Sequence, residues 1–108
     1  MATIEDLQKI EVRVGTVRSA ERVPDTDKLI KLMVDLGEAA PRQIVSGIVE
    51  YVSETSSLVG RQLAFITNLE QRTICGLESN GMLFAVGKGE SFAFLTPDRC
   101  VPPGTGAH

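Results

Sequence analysis

The sequence contains few of the residues from which enzyme active sites are built. It has no tryptophan, one tyrosine and four phenylalanines, and its only histidine is His108 at the carboxyl end. Catalysis needs a nucleophile with a base, clustered carboxylates or metal ligands in a fixed geometry, which a chain terminus rarely maintains. The chain also has no GxSxG motif and no phosphate-binding glycine loop. We therefore expect a binding protein without enzymatic activity and without a small-molecule substrate.

Cysteine is equally scarce. Cys75 and Cys100 stand far apart, without a CxxC or Cys/His spacing, so neither a zinc site nor a disulfide framework is indicated. The DTD stretch, Asp25 to Asp27, follows a proline, and aspartates in such a position commonly serve turn geometry. We expect reduced thiols and no metal or other cofactor.

The chain also lacks long hydrophobic runs and a secretory signal. No apolar run approaches ~18 residues, and the amino terminus MATIEDLQKIE has acidic residues where a signal peptide has basic ones. Apolar residues make up 43% of the 108 residues and charged residues 23%, which is typical of a folded domain. We expect one cytoplasmic domain, residues 1–108, with no contact to a membrane.

Positive charge is too sparse for a protein that coats nucleic acid indiscriminately. The net charge is −3, from 14 acidic and 11 basic residues. The basic residues are nevertheless unevenly spread, which leaves two interpretations open: a local basic patch or an ordinary solvated face. Six of them lie in the first third of the chain: Lys9, Arg13, Arg18, Arg22, Lys28 and Lys31.

The order of predicted elements indicates a small β-barrel. Thr3 and Asp6 predict a capping box that begins a brief amino-terminal helix. The apolar pattern of the first strand changes phase near Gly15, which predicts a β-bulge there. A short helix ending near Gly60 separates the third strand from the fourth. This order is that of an OB-fold, a five-stranded Greek-key barrel. The strand segments are VRVGTVRSAER, KLIKLMVDLG, RQIVSGIV, RQLAFITNL, GMLFAVG and a short last strand, SFAFLTP.

The aromatic residues argue against a binder of single strands. Base stacking contributes ~1 to 3 kcal/mol per base in such proteins. Here most aromatic side chains lie inside apolar strand runs, which is typical of core positions. A nucleic-acid ligand would therefore be a folded RNA, bound through its shape, phosphates and 2′-hydroxyl groups. The aromatic residues are Tyr51, Phe65, Phe84, Phe92 and Phe94.

Five segments carry a pattern in their order and spacing: DKLIKLMVDLGE, RQIVSGI, VGRQLAFITNLEQR, GLESNGMLFA and LTPDRCVPPG. Together they resemble the tRNA-binding domain family over nearly the whole chain, from Ile10 to Gly104. The family includes freestanding tRNA-binding proteins, the carboxy-terminal appendix of methionyl-tRNA synthetases and CsaA-type secretion chaperones. The resemblance implies an OB-fold homodimer that grips the outer elbow of tRNA without reading an anticodon.

The resemblance also implies which residues contact tRNA. They are the lysine of a PxxDKL turn, the asparagine of NL with the arginine after it, and the serine and methionine of SxGM. Gly76 and Gly81 would let the backbone approach a phosphate. In this sequence the five side chains are Lys28, Asn68, Arg72, Ser79 and Met82.

Four of these residues also have a structural interpretation. Lys28 could decorate a turn, Met82 could join the core and Ser79 could cap its loop, while Arg72 could pair with Glu70 or Glu78.

The chain departs from the family pattern at one informative place. Where the family commonly has PRKxRG, this chain has QRTICG, so Gln71, Thr73 and Cys75 replace a proline and two basic residues. Val23 stands where the family often has histidine. Fewer cations predict weaker and less salt-sensitive RNA binding.

Three functions therefore remain open. The first is a non-catalytic tRNA-binding accessory of aminoacylation, acting with an aminoacyl-tRNA synthetase. The second is a chaperone that binds unfolded export substrates through apolar side chains. The third is the tRNA-binding part of a larger methionyl-tRNA synthetase, although a start at Met1 favours a freestanding chain. The apolar side chains of the second function are Ile74, Leu77, Met82 and Phe84.

Overall fold

A computed structural model describes residues 1–108, and its regular structure is mainly antiparallel β-strand. None of its helices is both long and apolar enough to cross a membrane. Helix α1 spans Ile4–Gln8. The strands are β1 (Val12–Arg22), β2 (Ile30–Asp35), β3 (Arg42–Ser46), β4 (Gln62–Ile66), β5 (Arg72–Ile74), β6 (Leu77–Ser79), β7 (Met82–Leu83), β8 (Ala85–Val86), β9 (Ala93–Phe94) and β10 (Gly106–Ala107).

The strands form a nearly closed five-stranded barrel, which confirms the predicted OB-fold. The order in the main sheet is β3, β2, β1, β4, β7, and β10 pairs with the first residues of β1. Two small hairpins, β5 with β6 and β8 with β9, stand outside this sheet. The predicted capping box is present, because Thr3 Oγ1 accepts from the Asp6 amide and the Asp6 carboxylate accepts from the Thr3 amide.

Strand β1 bends through a bulge, but not where the sequence pattern placed it. Val17 pairs with Val34 and Ser19 with Met33, so the unpaired residue is Arg18 and not Gly15. Gly15 has a packing role instead: a Cβ atom built on it would lie 2.4 Å from Val34 Cγ1. The missing side chain therefore lets β1 pass close to the barrel interior. The prediction was wrong because a glycine in a strand can mark either a bulge or a close approach, and here it marks the second.

The core follows the predicted alternation on β2, where every second side chain faces inward. Ile30, Leu32 and Val34 are completely buried, and Phe65 of β4 reaches them from the neighbouring side of the barrel. The predicted helix between β3 and β4 is present only as two 3-10 turns, Val49–Tyr51 and Thr55–Leu58. The second turn places Leu58 in the core.

Hydrogen bonds from β3 to the end of β6 and the residue after it close the barrel. The Asn80 backbone amide donates to the Gln43 carbonyl over 2.9 Å, and the Val45 backbone amide donates to Ser79 Oγ over 3.0 Å. Ser79 Oγ in turn donates to the Gly81 carbonyl. Gly81 has φ +140°, and a Cβ there would lie 3.0 Å from the Ile66 carbonyl oxygen. Ser79 and Gly81 therefore help to close the barrel, and the buried backbone of Gly81 is not exposed to a phosphate.

Two elements were absent from the sequence-based expectation. The stretch between β4 and β7, in which the sequence predicted no strand, contains the β5–β6 hairpin, whose tip residues Cys75 and Gly76 both have positive φ. The carboxyl-terminal tail adds β10, in which Ala107 pairs with Val12 and Gly106 with Arg13.

Candidate nucleic-acid interface

The β5–β6 hairpin leans toward the turn between β1 and β2, and the two enclose a small cleft. This hairpin–turn cleft has a volume of about 170 Å³. Lys31 contributes to it from β2, and its ammonium group lies 3.8 Å from the Glu21 carboxylate. Leu77 forms an apolar part of the wall. The lining residues are Glu21, Arg22, Val23, Pro24, Lys31, Cys75 and Leu77.

Unpaired positive charge is concentrated around this cleft. Six of the eleven basic residues form ion pairs with carboxylates. Of the other five, Arg22, Lys28 and Arg72 belong to the end of β1, the following turn and the hairpin. Arg61 instead covers the ring of Phe94 at 5.1 Å. The fifth, Lys88, follows β8 outside the cleft and is also exposed. Three of the five basic residues without an ion pair thus belong to the segments that form the cleft.

Lys28 projects from a turn with a fixed backbone. Thr26 Oγ1 donates to the Val23 carbonyl and accepts from the Leu29 amide, and the Val23 amide donates to the Leu29 carbonyl. The carbonyl of Lys28 accepts from the Val49 amide over 3.1 Å. Its side chain, by contrast, is exposed and forms no ion pair. The turn whose residues Val23 and Pro24 line the cleft therefore also carries an ammonium group without an ion pair.

Arg72 lies on β5, opposite Ser79 of β6, and is exposed. The ion pairs with Glu70 or Glu78 that the sequence left open are absent. The structure thus brings Lys28 and Arg72 to neighbouring segments, because the turn and the hairpin tip line one cleft.

The other three expected contact residues have internal roles. Asn68 is exposed, but its amide oxygen accepts from the Glu11 amide and its NH₂ group donates to the Lys9 carbonyl, both at 2.8 Å. Ser79 is completely buried, and its hydroxyl bonds to the Val45 amide and the Gly81 carbonyl. Met82 is half-buried on β7, opposite Ile66.

Sequence reasoning did not single out two arginines that the structure makes prominent. Arg22 was counted among the basic residues of the first third, and that uneven distribution was the available signal. Arg42 was not singled out by the sequence. It forms a fork with the nearby Glu38, but its bond to the Thr67 carbonyl, over 2.6 Å, joins residues 25 positions apart, and such a contact leaves no local pattern. The fork lowers the pKa of Glu38 and raises that of Arg42, because each charge stabilises the other.

A second concave surface lies at the amino-terminal helix and is apolar. This N-terminal groove has a volume of about 710 Å³. Ile4 and Leu7 of α1 are 64% and 61% exposed, and Phe84 across the groove is 41% exposed. Three of the large exposed apolar side chains are thus grouped along one groove, which makes it a candidate interaction surface. The lining residues are Ile4, Leu7, Gln8, Ile10, Glu11, Val12, Arg13, Phe84, Gly106, Ala107 and His108.

Comparison with known protein families gives a match over most of the chain. The family model described as a tRNA binding domain matches residues 12–106. The methionine–tRNA ligase of Methanococcoides burtonii is 43% identical over 109 residues, which cover 100% of this chain and 16% of the ligase. The corresponding ligase of Thermotoga maritima is 40% identical over 94% of this chain and 16% of its own length. The chain thus spans about a sixth of these relatives.

Solved structures match along their full length. A MetRS related protein from Pyrococcus horikoshii superposes with a TM-score of 0.90 at 31% identity, covering 100% of this chain and 98% of that one. The chaperone CsaA from Bacillus anthracis superposes with a TM-score of 0.87 at 28% identity, covering 100% and 99%. The same barrel therefore occurs in proteins described in two different ways.

Proposed function

The chain belongs to the tRNA-binding domain family, and from this membership we propose that it binds folded tRNA as a non-catalytic accessory of aminoacylation. The observation that carries the proposal is that Arg22 lines the hairpin–turn cleft without an ion pair, while Lys28 and Arg72, also exposed and unpaired, belong to the turn and the hairpin that form the cleft. The surface recognises the contour and phosphates of the RNA, since no aromatic side chain lines the cleft to stack a base.

Phosphate binding at this surface has a limited strength. Three exposed cations neutralise about three phosphates, and each contributes about 0.7 to 0.9 to the slope of log affinity against log salt. The expected slope is about −2 to −3 for each protomer. Such binding holds tRNA near a partner without competing with the synthetase for it.

Charge removal at the cleft tests the proposal. Lys28→Gln and Arg72→Gln should each weaken binding of a fluorescent folded tRNA about five- to tenfold, because each removes an exposed charge-assisted contact of about 1 to 1.4 kcal/mol. Lys88→Gln and Arg99→Gln remove the same charges from residues outside the cleft and should change affinity less than twofold. Equal losses for all four variants, or no binding by the wild type in low salt, would refute the proposal.

Pairing of two copies through the N-terminal groove is part of this proposal. A two-fold interface is self-complementary, and the groove offers Ile4, Leu7 and Phe84 beside the free outer edge of β10. A second copy would cover these apolar side chains and give the tRNA two basic surfaces in one saddle.

Peptide binding is the second candidate function. It is supported by the likeness to a CsaA chaperone and by the apolar groove. The side chains proposed for it from sequence do not form one surface, because Leu77 lines the hairpin–turn cleft and Phe84 the groove. Peptide binding that survives high salt, in a protein that fails to bind tRNA, would favour this candidate.

The partner of the proposed complex is an aminoacyl-tRNA synthetase, and the likeness to methionine–tRNA ligases supports a methionyl enzyme. The chain would act beside such an enzyme or as a segment of one. Cytoplasmic location is part of the same proposal and is supported by two exposed cysteines without a disulfide.

A further inference from the structure

Five residues outside the hairpin–turn cleft form a closed ring of polar contacts, here called the polar ring: Glu11, Arg13, Glu38, Arg42 and Thr67. Glu11 bonds to Arg13 over 3.0 Å, Arg13 lies 3.7 Å from Glu38, and Glu38 bonds to Arg42 over 2.8 Å. Arg42 Nη1 donates to the Thr67 backbone carbonyl over 2.6 Å. Thr67 Oγ1 donates to the Glu11 carboxylate over 2.6 Å, which closes the ring. The ring therefore joins β1, the start of β3 and the end of β4.

The polar ring holds both ends of the segment that contains the β5–β6 hairpin. Arg42 Nη1 also donates to the Asn80 carbonyl over 3.4 Å, directly after β6. Thr67, at the other end of the segment, lies directly before Asn68. One guanidinium group thus fixes the points at which the hairpin leaves the barrel and returns to it.

Asn68 adds hydrogen bonds that tie the same segment to the amino-terminal residues. Its amide bonds to the Lys9 carbonyl and the Glu11 amide, and the Thr67 amide donates to the Glu11 carbonyl. The stretch from Lys9 to Glu11 leads from α1 into β1. The hairpin is therefore anchored to the barrel on the side opposite its tip.

Arg42 and Asn68 have few hydrogen-bonding groups left for a ligand. Arg42 uses four of its N–H groups on Glu38, Thr67 and Asn80, and its side chain is only 26% exposed. Both polar groups of the Asn68 amide are already bonded. An arginine aimed at a phosphate would instead leave its fork free, as Arg72 does.

We propose that Arg42 and Asn68 are positioning residues, which fix the β5–β6 hairpin so that Arg72 and the cleft can receive the phosphates of tRNA. This inference rests on the proposed function and adds to it the residues that order the surface. It assigns to Asn68 an indirect role, in place of the direct tRNA contact that the family resemblance implies.

A double-mutant cycle between Arg42 and Arg72 tests the proposal through tRNA affinity. Arg42→Gln should weaken binding about fivefold. The double variant with Arg72→Gln should bind tRNA no more weakly than the single variant that has the lower affinity, because the effects of coupled residues are not additive. Arg42→Lys keeps the charge but loses the fork, so it should behave like Arg42→Gln. Additive losses, or full rescue by lysine, would show a direct charge contact and overturn the proposal.

Amide hydrogen exchange without tRNA separates this inference from the proposed function. Arg42→Gln and Asn68→Ala should speed exchange at the amides of β5 and β6 at least about tenfold, whereas Arg18→Gln, which breaks an ion pair with Asp35 elsewhere, should not. Unchanged hairpin exchange in both tether variants would overturn the positioning role. Faster exchange in a protein that binds no tRNA would retain the tether and refute the proposed function alone.

Discussion

Ser79 is a polar side chain in a fully buried position, and both of its hydrogen-bonding roles are used to close the barrel. A buried amide that loses its acceptor costs about 1 to 3 kcal/mol. We predict that Ser79→Ala lowers the free energy of unfolding by this amount, because the Val45 amide is left without a partner.

Urea denaturation measures this loss. Ser56→Ala, at an exposed serine without a side-chain hydrogen bond, is the matched control and should change the unfolding free energy by less than about 0.5 kcal/mol. Equal stability of the Ser79 and Ser56 variants would mean that water or another group replaces the hydroxyl.

Gly15 offers a second prediction at the scale of single residues. A methyl group there overlaps Val34 Cγ1 and crowds Phe65, so Gly15→Ala should destabilise the barrel by about 1 to 3 kcal/mol through overpacking. Gly106→Ala adds the same methyl group to a strand residue with open space around it and should be nearly neutral. Thermal unfolding of both variants decides the matter, and similar melting temperatures would contradict the packing role.

The sequence could not distinguish residues that touch a ligand from residues that hold the site. The motif positions of Asn68 and Ser79 are as expected, but their partners lie far away in the chain: Asn68 bonds to Lys9 and Ser79 to Val45. Such long-range pairs leave no local pattern. Lys28 and Arg72 were named from the family resemblance alone, and only the structure shows that both side chains are exposed and form no ion pair.

Among the elements, the strongest predictions were those with a local signal. The capping box of α1 and the alternation of β2 depend on neighbouring residues, and both are present. The β5–β6 hairpin was missed because its two-residue turn is Cys75-Gly76, without the Asn-Gly or Asp-Gly pair that usually marks such turns. Strand β10 was missed because two residues cannot show a period.

Two carboxylates near the β2–β3 connection predict a loss of stability in acid. The Gly37 amide and then Arg18 lower the pKa of Asp35, and Arg42 lowers that of Glu38. Because the unfolded chain has the higher pKa values, it binds more protons in this range. The stabilisation is therefore complete above about pH 4.5 and is lost as the pH falls through the lower folded values.

Glu38→Gln makes this pH prediction specific. At pH 7 the variant should be less stable than the wild type by up to about 1 kcal/mol, the usual limit for a partly exposed ion pair. The difference should shrink as the pH falls below about 4.5 and passes through the lowered pKa of Glu38 in the folded protein, because the wild-type carboxylate then also becomes neutral. Denaturant unfolding across this range measures it, and a difference independent of pH would contradict the ion-pair account.

At the scale of the whole molecule, the N-terminal groove predicts a dimer. Light scattering at micromolar concentration should give twice the chain mass of 11.6 kDa. Leu7→Asp should give a monomer, because it places a charge in the apolar interface but leaves the fold intact at an exposed position. Val59→Asp introduces the same charge at an exposed apolar residue outside the groove. A monomeric wild type would remove the proposed saddle.

The most direct measurement of tRNA recognition is a map of amide NMR shifts as folded tRNA is added to the isotope-labelled protein. Binding at the hairpin–turn cleft predicts that the largest changes fall in residues 21–31 and 72–78, and that they fade as salt is raised. Changes centred on α1 and Phe84, or persistence of the pattern with an unstructured RNA of equal length, would contradict recognition of folded tRNA at this surface.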